Sequence, residues 1–249
     1  MKSMLLIFLL PLACSHARAG TLVIVGGGAV GPEILTETLR LAGGPEQARI
    51  AILPQASGLP DAGEKSAAVW REAGAADIRV VDLAQSVEAR KHLERANLVW
   101  MPGGQQSRLV EALRAAEMIP VLRARLAGGA VIGGTSAGAA AMSQIMIEGT
   151  GDAGGISAGA VKISEGLGLL PGVIVDQHFF KRQRFNRLLA AVREHPGRTG
   201  AGIDEGTALI VTDREWRVAG VSHVLILRAD GSSGWNMRLL AAGDTMPAP

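Results

Sequence analysis

The stretch Gly134-Thr135-Ser136-Ala137-Gly138 offers this chain its most direct route to chemistry. A serine at G-x-S-x-G spacing sits on a sharp strand-to-helix turn that holds its hydroxyl clear of a sheet. The flanking glycines tolerate the strained backbone and let the next element approach closely. The apolar run 130–133 precedes the turn and the small-residue run 139–142 follows it, as a strand and a helix start would. Such a helix N-terminus offers backbone N–H groups to a developing negative charge. A helix-capping serine in a glycine-rich turn would carry the same pattern.

A serine hydroxyl is a weak nucleophile without a base. Beyond residue 19 there are four histidines: His92, His178, His195 and His223. His92 lies in the charged stretch 88–95 and reads as solvated. His195 precedes Pro196 at a helix end, and His223 follows Ser222 in a late strand region. His178 comes just after the strand-like run 172–176. In a parallel sheet this places it at the same edge as Ser136, where ligands gather in open α/β sheets. His178 is therefore the expected base. The orienting acid is expected at Glu205, with Asp204 as the local competitor. Asp176 is a third choice, too near His178 in sequence to face its ring easily. The order Ser, His, acid differs from the Ser, acid, His order of α/β-hydrolases, so the elbow does not imply that fold.

Strand and helix patterns alternate along the chain and must position these groups. Strands are expected at 21–25, 49–53, 77–81, 97–101, 130–133, 172–176 and 208–212. Helices are expected at 32–41, 66–73 and 107–116, with apolar positions at helical spacing. Pro32 falls in a first helical turn and Gly74 just past a helix end. Strands separated by helices predict one doubly wound, mostly parallel sheet covered on both faces. The run 216–227 leaves no room for a crossover helix and predicts antiparallel edge strands near the C-terminus. Gly26-x-Gly28-x-x-Gly31 after the first strand imitates a dinucleotide fingerprint. That reading needs an acid at the end of the second strand, where Leu53-Pro54-Gln55 stands instead. The glycines are read as a tight turn close to the substrate side of the sheet.

Residues 1–19 read as an address. Lys2, the apolar run 5–12 and Ala17-Arg18-Ala19 form a secretory signal pattern, and the run is about half of the ~20 residues a membrane span needs. This predicts a leader over 1–19, a single domain over 20–249, and a periplasmic or secreted enzyme with no stable membrane insertion after cleavage. Leu12-Ala13-Cys14 offers an alternative, lipidation of Cys14. The full chain has 25 Lys plus Arg against 23 Asp plus Glu. Removing Lys2 and Arg18 leaves 23 of each, so net charge gives no reason to expect nucleic acid. Aromatics at 3% argue against base stacking as well. The single cysteine, Cys14, excludes an internal disulfide framework and a cysteine zinc site. No metal or cofactor is expected.

Four stretches together resemble the cyanophycinases, serine peptidases whose wider group includes aspartyl dipeptidases. They are GGTSAGAAAMS at 133–143, PGGQQ at 102–106, GLGLLPGVIVDQHFFKRQRFNRL at 166–188 and GIDEGTAL at 202–209. The resemblance covers nearly all of the chain beyond the leader, and the DQHF-x-x-R-x-R-x-x-R-L segment discriminates best. It implies a fold like the class I glutamine amidotransferase domain (flavodoxin-like), with Ser136, His178 and Glu205 as a triad. It also implies hydrolysis of cyanophycin, a poly-aspartate carrying arginine on its β-carboxyls, to β-Asp-Arg dipeptides. Ala137 and Gly104 would supply oxyanion N–H groups. Gln105 or Gln106, Asp176 and Gln177 would line the cleft. Arg182, Arg184 and Arg187 would meet substrate carboxylates. Helical counting back from Phe185 puts Arg182 by the apolar stripe and turns Arg184 and Arg187 elsewhere. An isoaspartyl or aspartyl dipeptidase acting on small peptides remains the alternative, and a non-catalytic periplasmic binding protein of the same fold is another. The resemblance further suggests a homodimer, for which no residue pattern predicts an interface.

Overall fold

Short apolar runs buried along their length build the centre of the structure, a computed structural model that describes residues 20–149, 156–157, 159–231 and 233–248. In chain order the first half contains β1 (Thr21–Val25), α1 (Pro32–Leu41), β2 (Arg49–Ile52), α2 (Ala62–Glu72) and β3 (Asp77–Val80). It continues with α3 (Ser86–Arg95), β4 (Leu98–Met101), α4 (Gln106–Ala115), α5 (Ile119–Ala127) and β5 (Val131–Thr135). The second half contains α6 (Ala137–Ala140), β6 (Ile145–Ile147), β7 (Ile163–Glu165), β8 (Val173–Gln177), α7 (Phe185–Glu194) and β9 (Thr199–Ile203). Five further strands end it: β10 (Thr207–Val211), β11 (Glu215–Gly220), β12 (His223–Asp230), β13 (Gly234–Ala241) and β14 (Thr245–Pro247).

Eight strands form the main sheet in the order β14-β11-β10-β1-β5-β4-β2-β3. β1, β5, β4, β2 and β3 run parallel, and β10, β11 and β14 add antiparallel strands at one side. The doubly wound, mostly parallel sheet with C-terminal antiparallel strands is thus present as the pattern predicts. One apolar cluster fills one face of the sheet around Leu109, Leu113 and Met142, and another fills the opposite face around Ile34, Trp70 and Trp100. A parallel sheet buried on both faces explains why β4 reads Leu-Val-Trp-Met without alternation.

The strand after residue 172 does not join that sheet. β8 pairs in parallel with β9, and β12 and β13 follow antiparallel, making a second, four-stranded sheet. β9, Thr-Gly-Ala-Gly-Ile, gives no apolar pattern because its small residues are needed by what packs on them. A Cβ at Gly200 would lie 2.8 Å from Val192, and one at Gly202 would lie 2.6 Å from the Phe179 ring. The turn 204–206 carries the chain from β9 in the second sheet directly into β10 in the first. The sheets therefore meet where β1, β5, β8 and β9 end. The expected leader 1–19 and Cys14 lie outside the described residues.

Candidate active site

Ser136 sits between β5 and α6 with φ 53° and ψ −110°. This conformation is unfavourable for a residue with a side chain, of the kind that costs about 1–3 kcal/mol and persists where the surroundings over-determine it. The surroundings here are tight. The Ser136 N–H donates to the Val25 carbonyl at 3.0 Å. A Cβ on Gly138 would lie 2.0 Å from the Met101 carbonyl oxygen, and one on Gly134 would lie 2.9 Å from that same oxygen. Both glycines of the elbow are thus required by its seat on the end of β4.

His178 follows β8 and also has positive φ, 51°. Its N–H donates to the Gly26 carbonyl at 2.6 Å, which ties the second sheet to the end of β1. The ring Nε2 lies 2.9 Å from Ser136 Oγ, and Nδ1 lies 2.6 Å from Glu205 Oε1. The carboxylate accepts from Nδ1–H, which leaves Nε2 free to accept the serine proton. Burial lowers the imidazole pKa; the Glu205 hydrogen bond opposes that, and the positive charge of Arg182 adds to it. His178 is accordingly neutral over a wider range than a free histidine, as a base must be.

The glycine turn after β1 forms the bed of this pair. A Cβ on Gly27 would come within 2.3 Å of the imidazole, and one on Gly28 would lie 3.1 Å from Glu205 Cβ. The tight-turn reading of Gly26-Gly27-Gly28 holds, with His178 and Glu205 as the groups that approach it.

The competing acids are engaged elsewhere. Asp204 accepts the Lys181 N–H at 3.0 Å and the Ser222 hydroxyl at 2.9 Å. Burial pushes its carboxyl up, and these hydrogen bonds outweigh that to hold it below its ordinary range. Asp176 is 1% exposed and faces Arg187, whose Nε donates to Oδ2 at 2.9 Å and whose second nitrogen bonds Oδ1.

The expected facing of the arginines is reversed. α7 begins only at Phe185, and Gln183 has φ 54°, so helical counting back to Arg182 fails. Arg182 is exposed, and Phe185 is 39% exposed. Arg184 and Arg187 are buried. Arg184 donates to the Gln177 carbonyl at 2.6 Å and to Gln177 Oε1 at 2.7 Å. Burial, with Arg187 nearby, pushes the Arg184 guanidinium down to about 10, so it stays charged at neutral pH. Gln106 is also buried and donates to the Ile147 carbonyl at 2.8 Å, whereas Gln105 is exposed at the start of α4.

A Cβ on Gly103 would lie 3.5 Å from Ser136 Cβ, so the 103–104 turn flanks the nucleophile. Among the described residues, the N–H groups of Gly104 and Ala137 make no main-chain hydrogen bond. Ala137 directly follows Ser136 at the start of α6. Among the described residues no group of three His, Cys, Asp or Glu could hold a metal ion, and no helix is long and apolar enough to cross a membrane.

Comparison with known proteins follows the same outline. The family model described as peptidase family S51 matches residues 22–219. A cyanophycinase from Geminocystis herdmanii is 37% identical over 243 residues, covering 93% of this chain and 88% of that protein. A cyanophycinase from Trichormus variabilis is 38% identical over 219 residues, covering 83% of this chain and 73% of that protein. The crystal structure of a peptidase from an acI-B1 Actinobacterium superposes with a TM-score of 0.67 at 22% identity, covering 93% of this chain and 98% of that one. This last likeness is one of fold.

Proposed function

The chain belongs to peptidase family S51 and is a serine peptidase, and we propose that it is an exported exopeptidase that hydrolyses cyanophycin to β-Asp-Arg dipeptides. The observation that carries the chemistry is the hydrogen-bonded chain from Ser136 Oγ through His178 to Glu205. The substrate follows from the cyanophycinases to which the chain is similar over most of its length.

Ser136 Oγ attacks the α-peptide carbonyl of an aspartyl unit while His178 Nε2 takes the serine proton. The carbonyl oxygen gains negative charge, which the N–H groups of Ala137 and Gly104 stabilise. His178, now an imidazolium held by Glu205, gives its proton to the leaving amine. Water then enters by the same base and releases the acyl group from Ser136. Arg182 and Gln105, both exposed near the strand ends, are assigned to the substrate's carboxylate and amide groups. Asp176, Gln177, Arg184 and Arg187 form a buried hydrogen-bonded cluster at the end of β8 that steadies the segment carrying His178.

Export rests on the leader pattern at 1–19, with cleavage after Ala19 and delivery to the periplasm or outside. The mass of the mature protein tests it, because a chain starting at Gly20 supports secretion and a lipidated Cys14 supports an anchored form. The substrate is tested by giving the purified protein cyanophycin and a small β-aspartyl dipeptide side by side. Release of β-Asp-Arg from the polymer supports the proposal. Hydrolysis of the small peptide alone would replace it with the dipeptidase reading.

A further inference from the structure

A groove of about 680 Å³ runs between α2 and α4 at the end of the sheet that carries the active site. Its walls include Gln55, Ser57, Glu64, Arg108 and Glu111. It is joined to the nucleophile by a short run of contacts. Gly103 lies against Ser136, Gly104 lies against the Ala56 carbonyl, and the Gln105 N–H donates to that carbonyl at 2.8 Å. Ser57, the next residue, is already in the groove wall. The guanidinium of Arg108 reaches over Gly58, where a Cβ would lie 2.9 Å from its Nη1. Among the described residues Arg108 has no hydrogen bond or ion pair. Glu64 has only an exposed pair with Arg71 at 3.3 Å, an interaction of the kind that a competing guanidinium displaces at small cost.

The charge pattern selects an occupant. A chain that repeats carboxylate and guanidinium needs cations and acceptors in one channel, and Arg108 lines this groove together with the carboxylates of Glu64 and Glu111. A small dipeptide held at Ser136 has nothing to place there. We propose that this groove is a distal subsite for the poly-aspartate chain beyond the scissile unit, so that the enzyme favours long substrates over short ones. The inference rests on the cyanophycin reading above.

The test compares kcat/KM on soluble cyanophycin with kcat/KM on a synthetic peptide of two β-Asp-Arg units, in the wild type, in Arg108→Glu and in the double variant Glu64→Lys, Glu111→Lys. Reversing these charges is expected to lower the long-to-short ratio about tenfold in each variant. The short peptide reports folding and chemistry in the same preparations. A ratio that stays within about twofold of the wild type in both variants overturns the subsite. A wild type that releases nothing from cyanophycin overturns the substrate reading itself, and the subsite with it.

Discussion

Two charged clusters stand two residues apart on one strand end and do opposite things. His178 with Ser136 and Glu205 forms an open chain. It ends in a hydroxyl that is only partly buried, and its members sit on strained or glycine-bedded backbone. Asp176 with Arg184 and Arg187 forms a closed one. Asp176 is buried, and its two oxygens are taken up by guanidinium nitrogens. The difference is one of solvent and saturation rather than residue type. A reactive group keeps a hydrogen-bonding position for the substrate, whereas a structural cluster has filled its positions with its own partners.

Substitutions should separate the two clusters. Ser136→Ala is expected to lower kcat about 10⁶-fold with an unchanged melting temperature, and Glu205→Gln about 10⁴-fold. Turnover assays together with thermal melts check both, and normal turnover by Ser136→Ala would break the assignment. Asp176→Asn is expected to cost about 3–5 kcal/mol of stability, because it breaks the buried Asp176–Arg187 ion pair. Denaturant unfolding measures this, and an unchanged midpoint would make Asp176 part of the reactive region instead. Gly27→Ala presses a methyl group into the His178 ring at a backbone φ of 110°. A displaced base should lower kcat about 100-fold, with a loss of stability from the strained backbone as well.

The smallest effect concerns pH. His178 must be neutral to act as base, and burial sets its pKa below 6.5. The acid limb of kcat/KM should therefore have its midpoint below pH 6.5. Arg182→Met removes a positive charge that also lowers this pKa. The imidazolium then survives to higher pH, and the acid limb should move upward. A pH-rate profile of the two proteins checks the sign, and a downward shift would contradict the geometry.

Much of the site is legible in the sequence. G-x-S-x-G after an apolar run, and a histidine just past another, identify strand ends, because the residue that leaves a strand is placed at a sheet edge whatever its neighbours. The same logic found Glu205 ahead of β10. The rule located His178 through a sheet it does not belong to, since β8 lies in the second sheet. The expectation still led to the histidine whose Nε2 lies 2.9 Å from Ser136 Oγ, because both sheets end at the same place. β9 stayed hidden because its glycines are explained only by Phe179, Leu188 and Val192 packing on them. The facing of the arginines failed at Gln183, where one left-handed residue breaks the helical count.

Sequence alone thus determined the residue types, the order Ser, His, acid, and the parallel core that buries apolar runs on both faces. These follow from local spacing and from the requirement that apolar strands be covered. Only the tertiary structure decided which acid faces the imidazole, which arginines are buried, and where the groove beyond Gly104 leads. Glu205, Asp204 and Asp176 are chemically interchangeable as carboxylates. What distinguishes them is which donors the fold brings within hydrogen-bond reach, and those donors come from segments far apart in the chain.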